Sequence, residues 1–393
     1  MDLNLLDAVK TIVVLVFTIA IVVIIHELGH FIAAKLCKVR VDEFAFGMGK
    51  MLWSKKYKGT LFRINLLPIG GYVKVYGQET AVKGDPDSFS EKPAHKRLFI
   101  LVAGVFMNVI LAIVIFYLYL LSLGFVTYMP KIADYSFPGI KEETISKPWI
   151  KEVADGSSAK ESNLPINSIV WSVDGNDVRS TTGFSEIVRS SFGKTIDIKV
   201  QILRDQSFQD YKVNVNKKNA EGIPVIGVSL SGVDFYKLDY TGQKLTSGIV
   251  ETYNVFGYSM KVYGELINES LKTKSLEPVS VGTGTIVQVG QVAYRFVAAN
   301  NFIDILYLIG SISLSLAFFN ILPIPALDGG HVMFVIIEKI RGKALSDKVM
   351  GIINTVGFAL LMLLFVVLLF KDVLQISFIQ GIIKAVSSLL GAK

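Results

Sequence analysis

The sequence predicts a polytopic α-helical membrane protein with about four transmembrane helices, a membrane-associated β-hairpin and an inserted extracytoplasmic α+β domain. Three observations predict it. Hydrophobic residues make up 51% of the 393. The excess is concentrated in uncharged runs at 11–25, 98–126, 305–326 and 352–370, most of them near the ~20 residues a helix needs to cross a bilayer. Between the second and third runs the pattern changes to short strands separated by turn residues. The basic residues are also uneven: residues 33–97 hold 13 Lys or Arg, and the much longer 127–303 hold 19. The denser segment is expected on the cytoplasmic side. The short connection 338–350, with Lys339, Arg341, Lys343 and Lys348, agrees. Both termini and the middle domain are then expected outside the cytoplasm.

Each element follows in order. Residues 1–34 form the first transmembrane helix; only Lys10 precedes its apolar run and no small-residue cleavage site follows, so it reads as a retained helix and not a leader. Residues 35–97 are a cytoplasmic segment, within which Arg63 to Tyr76 reads as two short strands around a Pro/Gly turn, a hairpin at about 61–77. Too short to span, it either dips into the membrane against protein or folds as a small soluble hairpin. A second helix covers 98–126.

Residues 148–218 form the α+β domain, with strands at Ile150–Val153, Ser168–Val173, Ile196–Val200 and Tyr211–Val215 and a short helix at Gly183–Ser191. The segment 219–300 is amphipathic, with Ile249, Tyr253, Phe256, Met260 and Tyr263 at helical spacing. A third helix occupies 302–330, a fourth 350–371, and an amphipathic tail 373–393. The single cysteine, Cys37, has no internal disulfide partner. The net charge of +7 is not gathered into an aromatic-laced patch, so lipid is the expected partner and nucleic acid is not.

The chemistry begins at His26-Glu27-Leu28-Gly29-His30. Positions four apart share a helix face, so His26 and His30 can present two imidazoles to one cation while Glu27 lies one step round. Zn2+ accepts neutral imidazole nitrogen and, at catalytic sites, keeps one position for water. Beside it, Glu27 is the candidate general base. Ionisable groups at a bilayer centre cost on the order of 2.5–3.5 kcal/mol by insertion scales, and metal coordination offsets that cost.

Two histidines leave zinc one protein ligand short. Asp328 is the leading third ligand. It closes Asn320-Ile321-Leu322-Pro323-Ile324-Pro325-Ala326-Leu327-Asp328-Gly329-Gly330 at the cytoplasmic end of the third run, on the same side and at similar depth as His26. Prolines prevent regular helix there, and the glycines allow close approach to a neighbour. His331 reads as an interface residue or a donor to a ligand, and His95 as part of the basic flank of the second helix. Glu338 and Glu265 are carboxylates without comparable context.

These residues resemble the site-2 proteases, intramembrane zinc metalloproteases, and within them the bacterial RseP-like group with a single PDZ domain. The resemblance covers nearly the whole chain. It rests on the His26–His30 motif, Leu67-Pro68-Ile69-Gly70-Gly71-Tyr72-Val73-Lys74, Ala103-Gly104 with Asn108, Asn320 through Gly330, and a PDZ-like module. The module's matching stretches are Val153 to Lys160 and Val173-Asp174-Gly175-Asn176. Asn163-Leu164, Asn167-Ser168, Gly282-Thr283-Gly284 and Val105 depart from the family pattern. The resemblance implies His26, His30 and Asp328 as zinc ligands and Glu27 as general base. Asn320, Pro323 and Pro325 would serve active-site shape and substrate handling, and Gly70 and Gly71 would lie in a re-entrant hairpin that holds substrate.

It further implies a multi-pass protein of the bacterial cytoplasmic membrane with the PDZ-like domain extracytoplasmic. The expected activity is regulated intramembrane proteolysis of single-pass proteins, such as anti-sigma factors or remnant signal peptides, already cut by another protease. Two rivals stand beside this: a membrane zinc protease of another family, against which Asp328 argues, and an inactive PDZ-bearing scaffold, against which Glu27 argues.

Overall fold

The computed structural model describes residues 5–374 apart from 79, 203–206, 276–277, 280–285 and 344. The tail expected at 373–393 lies almost wholly outside the described residues. In chain order, helix α1 (Leu5–Leu36) leads to strands β1 (Val41–Tyr57) and β2 (Thr60–Val75) and helix α2 (Ala94–Ser122). A strand-rich stretch follows: β3 (Val126–Pro130), β4 (Lys141–Ile145), β5 (Trp149–Val153), α3 (Ser158–Glu161), β6 (Ser168–Val173), β7 (Asn176–Asp177) and α4 (Thr181–Ser190). Strands β8 (Thr195–Ile202), β9 (Phe208–Asn214), β10 (Lys217–Lys218), β11 (Pro224–Val225), β12 (Val228–Ser231) and β13 (Phe235–Asp239) complete it. Helices α5 (Ser247–Thr273), α6 (Ile286–Ala298), α7 (Phe302–Ile321), α8 (Asp328–Arg341) and α9 (Asp347–Leu374) end the described chain.

Among the described residues four helices are long and apolar enough to cross a membrane: Leu5–Leu36, Ala94–Ser122, Phe302–Ile321 and Asp347–Val373. The shortest, at 20 residues, spans ~30 Å, the thickness of a bilayer's hydrocarbon layer. The chain forms two compact units. One holds the residues up to Tyr119, Glu251–Phe256 and the chain from Leu266 onward; the other holds Leu120–Val250 and Gly257–Glu265.

In the first unit, Val22 of α1, Val297 of α6 and Ile305 and Ile309 of α7 form one buried cluster, which Leu111 and Ile115 of α2 join from its edge. A second cluster gathers Ala33 and Ala34 of α1, Val41, Val75, Ile100 and Leu101 of α2, and Val335 of α8. His26 and His30 fall on α1 between the two. Apolar packing therefore grips α1 on both sides of the motif.

The hairpin departs from expectation. Its turn is not at Pro68–Gly71 but at Lys58 (φ 45) and Gly59 (φ 83), a positive-φ pair suited to a two-residue hairpin turn. The Pro68–Gly71 stretch lies inside β2, where Gly70 (φ 78) bends the strand without ending it. Residues 43–46 pair antiparallel with 71–74 and, on their other edge, run alongside 61–64 in the same direction, while 53–57 pair antiparallel with 60–64. Two long strands thus fold over into a ribbon of four side-by-side segments, with 71–75 along one edge and 53–57 along the other. Arg63 and Tyr72 each donate to Oε2 of Glu43 at 2.9 Å, tying three of those segments together.

In the second unit a six-stranded antiparallel sheet has the order β12-β5-β6-β8-β9, with β7 on β6. Alternation builds its core: Ile196, Ile198 and Val200 of β8 are buried while Thr195 and Asp197 face out. Ser180 caps α4 by accepting the Gly183 N–H at 3.0 Å, as a serine before a helix is expected to do. The domain does not close at 218 as the sequence suggested. Strand β12 pairs with β5, and Ile226 is buried in the same core. That edge strand has four residues, too few for alternation to reveal it. A second sheet, β3-β13-β4, was not expected from the sequence.

Candidate metal centre

The histidines face α2 because α1 and α2 cross with almost no room between them. A Cβ on Gly29 would lie 2.3 Å from the Ala103 carbonyl oxygen, and one on Gly104 would lie 2.3 Å from Nε2 of His30 and 2.8 Å from Nε2 of His26. Side-chain-free positions on both helices are what admit the two imidazoles. Both rings are buried, at 6% and 8% exposure.

The third residue arrives from α8. Helix α7 ends at Ile321, and the chain turns through Leu322–Leu327, with Ala326 at φ 75, before α8 begins at Asp328. A Cβ on Gly329 would meet the Leu322 and Ile321 carbonyl oxygens at 2.1 and 2.4 Å, so this return is built around glycine. The Ala326 N–H donates to Oδ1 of Asn354 on α9 at 3.2 Å, which supports the irregular backbone from the other side.

The outcome is a triangle of acceptor atoms. Oδ2 of Asp328 lies 3.0 Å from Nε2 of His26 and 3.3 Å from Nε2 of His30, and the two Nε2 atoms are 3.2 Å apart. Four ligands at ~2.0 Å around a tetrahedral cation stand about 3.3 Å from one another. The three edges match that figure, and one cation at their focus accounts for acceptors converging in a buried place. Among the described residues no other group of His, Cys, Asp and Glu gathers in this way.

The outward nitrogens fit the same reading. Nδ1 of His30 is 2.8 Å from the Ile100 carbonyl oxygen, to which it donates, leaving Nε2 with its lone pair. Nδ1 of His26 faces the Asn108 carboxamide at 3.2 Å, and Oδ1 of Asn108 is buried without a partner. With the carboxamide turned so that Oδ1 accepts from Nδ1, the orphaned oxygen is satisfied and Nε2 of His26 is also free to bind.

Around the triangle, Glu27 is half-buried on α1, and the Val73 backbone amide faces its carboxylate. A Cβ on Gly71 would sit 3.6 Å from Cγ of Glu27, so the outer segment of the ribbon runs directly past this residue. Nδ2 of Asn320 is 3.4 Å from Nε2 of His26. Pro325 packs against Gly357 of α9, where an added Cβ would lie 2.5 Å from the proline Cβ, and Pro323 is exposed. Gly70 lies beside Met48, away from the triangle.

The remaining carboxylates and histidines stand elsewhere. Glu338 pairs with Arg97, Glu265 with Lys261, and the His331 ring stacks edge-on with Phe334. Sequence reasoning did not single out Ile100, Ser313, Asn354 or the Arg97–Glu338 pair. Of these Asn354 and Ser313 carry a sequence signal, as polar residues inside apolar spans.

A model of Peptidase family M50 matches residues 14–364. A protein of Clostridium acetobutylicum provisionally named a zinc metalloprotease is 31% identical over 365 residues, covering 92% of this chain and 97% of its own. A Campylobacter jejuni protein of the same provisional name is 29% identical over 375 residues, 92% of each chain. Among solved structures, the PDZ domain of an SdrC-like protein from Listeria innocua matches 21% of this chain and 92% of its own at 19% identity, with a TM-score of 0.20.

Proposed function

The chain belongs to peptidase family M50, the site-2 proteases, and is a membrane metalloprotease; on that premise we propose that it is a zinc endopeptidase performing regulated intramembrane proteolysis. The observation that carries this reading is the convergence of His26, His30 and Asp328 to within 3.0–3.3 Å, beside Glu27. Two imidazoles and one carboxylate are a ligand set suited to Zn2+. When bound, zinc supplies a Lewis acid that lowers the pKa of a coordinated water and polarises the scissile carbonyl.

The chain's own residues do the rest. Glu27 accepts the proton of the attacking water and passes it to the amide nitrogen as the C–N bond breaks. Asn108 and the Ile100 carbonyl hold the imidazoles in one tautomer and orientation. The 71–75 segment is the edge on which an unwound substrate is held extended, since a helix must release its amides before it can be cut. Asn320 lies at the site to orient the bound segment, and Pro323, Pro325, Gly70 and Gly71 shape its approach.

The substrates we propose are single-pass membrane proteins such as anti-sigma factors and remnant signal peptides, trimmed beforehand by another protease. The charge distribution supports a bacterial cytoplasmic membrane orientation with the PDZ-like unit extracytoplasmic. There it binds trimmed ends or screens out bulky exported domains.

The test is an assay of purified protein for zinc and for cleavage of a model transmembrane substrate. Glu27→Gln is expected to keep metal and lose ~10²–10⁴-fold of the rate, whereas His26→Ala loses both. Normal cleavage by Glu27→Gln would sink the mechanism, and undiminished metal in Asp328→Ala would remove Asp328 from the centre.

A further inference from the structure

Arg97, in the first turn of α2, meets Glu338, in the last turn of α8, through a two-pronged ion pair. Nη1 reaches Oε2 at 2.9 Å and Nη2 reaches Oε1 at 2.8 Å, with side chains 12% and 28% exposed. Neither residue touches the metal triangle. Each nevertheless sits on the rigid element that delivers part of it. Arg97 is three residues before Ile100, whose carbonyl holds His30, and α2 goes on to Gly104 and Asn108. Glu338 lies on the same unbroken 14-residue helix that begins with Asp328, about 15 Å along it.

The close Gly329 contact and the Asn354 bond hold the start of α8, but they lie at one end of a 14-residue helix. The preceding Leu322–Leu327 is irregular backbone, so contacts further along share in deciding how α8 lies against α2. Val335 supplies an apolar contact with Ile100 and Leu101, but apolar packing has no direction. Beyond it Arg97 and Leu101 from one helix and His331, Phe334 and Glu338 from the other line one wall of a cleft of about 740 Å³, whose other walls come from the chain around Phe89 and around Asp347. The fork adds direction to that contact, since guanidinium and carboxylate meet well in only one coplanar arrangement.

We propose that Arg97 and Glu338 are a positioning pair that fixes α8 on α2 and thereby holds Asp328 at bonding distance from the two histidines. This rests on the metal-centre reading above. A metal site tolerates displacements of only ~0.2–0.5 Å, so a small swing of α8 is enough to open the triangle.

The experiment uses full-length protein in detergent, with zinc affinity read by chelator competition and the visible spectrum of the cobalt-loaded form as an independent signature of coordination. Glu338→Gln and Arg97→Glu are each expected to weaken zinc binding by ~10–100-fold, the range for outer contacts of metal ligands, and to alter the cobalt spectrum. Arg97→Lys, which keeps the charge and loses the fork, should fall in between. The exchange Arg97→Glu with Glu338→Arg should recover the spectrum and most of the affinity. Single variants that bind zinc as tightly as the native protein would overturn the proposal, and so would an exchanged pair no better than the worse single variant. Failure of the native protein to bind zinc would instead bring down the metal-centre reading, and this inference with it.

Discussion

Asn108 on α2 sets its carboxamide 3.2 Å from Nδ1 of His26 on α1, while its backbone carbonyl accepts the Ser313 hydroxyl of α7 at 2.9 Å. One fully buried residue thus orients a candidate metal ligand and joins three candidate spans. Asn108→Leu is expected to lower zinc affinity by ~10–100-fold with helical content preserved, as read by chelator competition and circular dichroism. Asn108→Asp keeps an acceptor toward Nδ1 and should lose less.

The crossing at Gly104 makes a sharper prediction. The methyl of Gly104→Ala would need the space of both imidazoles, at 2.3 and 2.8 Å from their Nε2 atoms, so metal content and cleavage should both be lost. Gly264→Ala on α5, where an added Cβ meets nothing within 4 Å, is the control. It should be neutral, or stabilising by up to ~1 kcal/mol.

If the outer ribbon segment receives substrate, its backbone donors matter more than its side chains. Val73→Pro removes the N–H that faces Glu27 and interrupts the edge. Cleavage should fall ~10-fold or more, given positioning effects of this size, with zinc content unchanged. Val73→Ala, which keeps the N–H, should stay near the native rate. Equal rates for the two variants would contradict edge capture.

Glu43 gives the ribbon a pH dependence. Burial pushes its carboxyl up, but the bonds from Arg63 and Tyr72 more than offset this and leave it below the ordinary value of 4.5. A carboxyl lowered by folding stabilises the folded form above its unfolded pKa, and that contribution fades as pH falls through the lowered value. Hydrogen exchange at the amides of 43–46 and 71–74 should therefore hold steady from neutral pH to about 4.5 and quicken below it, after correction for the intrinsic rate. Glu43→Gln should quicken exchange at neutral pH and flatten that dependence.

The parts of this protein that were legible in its sequence are those written in short periods. His26 and His30 share a face because four residues make about one turn, and the apolar runs announce their length. Asp328 was found through its neighbours, since prolines and glycines after an apolar run predict broken helix and close approach. The ribbon turn was misplaced because Pro68–Gly71 is the stronger local turn signal, while Lys58-Gly59 looks ordinary until its partner strands are known. Strand β12 was missed for its brevity, and Arg97–Glu338 because a pair 241 residues apart leaves no local mark.

The separation of the candidate ligands along the chain bears on how the protein is made. His26 and Asp328 stand 302 positions apart, and at ~5–20 residues per second of synthesis the first leaves the ribosome long before the second exists. Through that interval the nascent chain carries His26 and His30 without the third corner of the triangle, so a cation needing all three ligands must wait until α8 has been made and packed against α1 and α2.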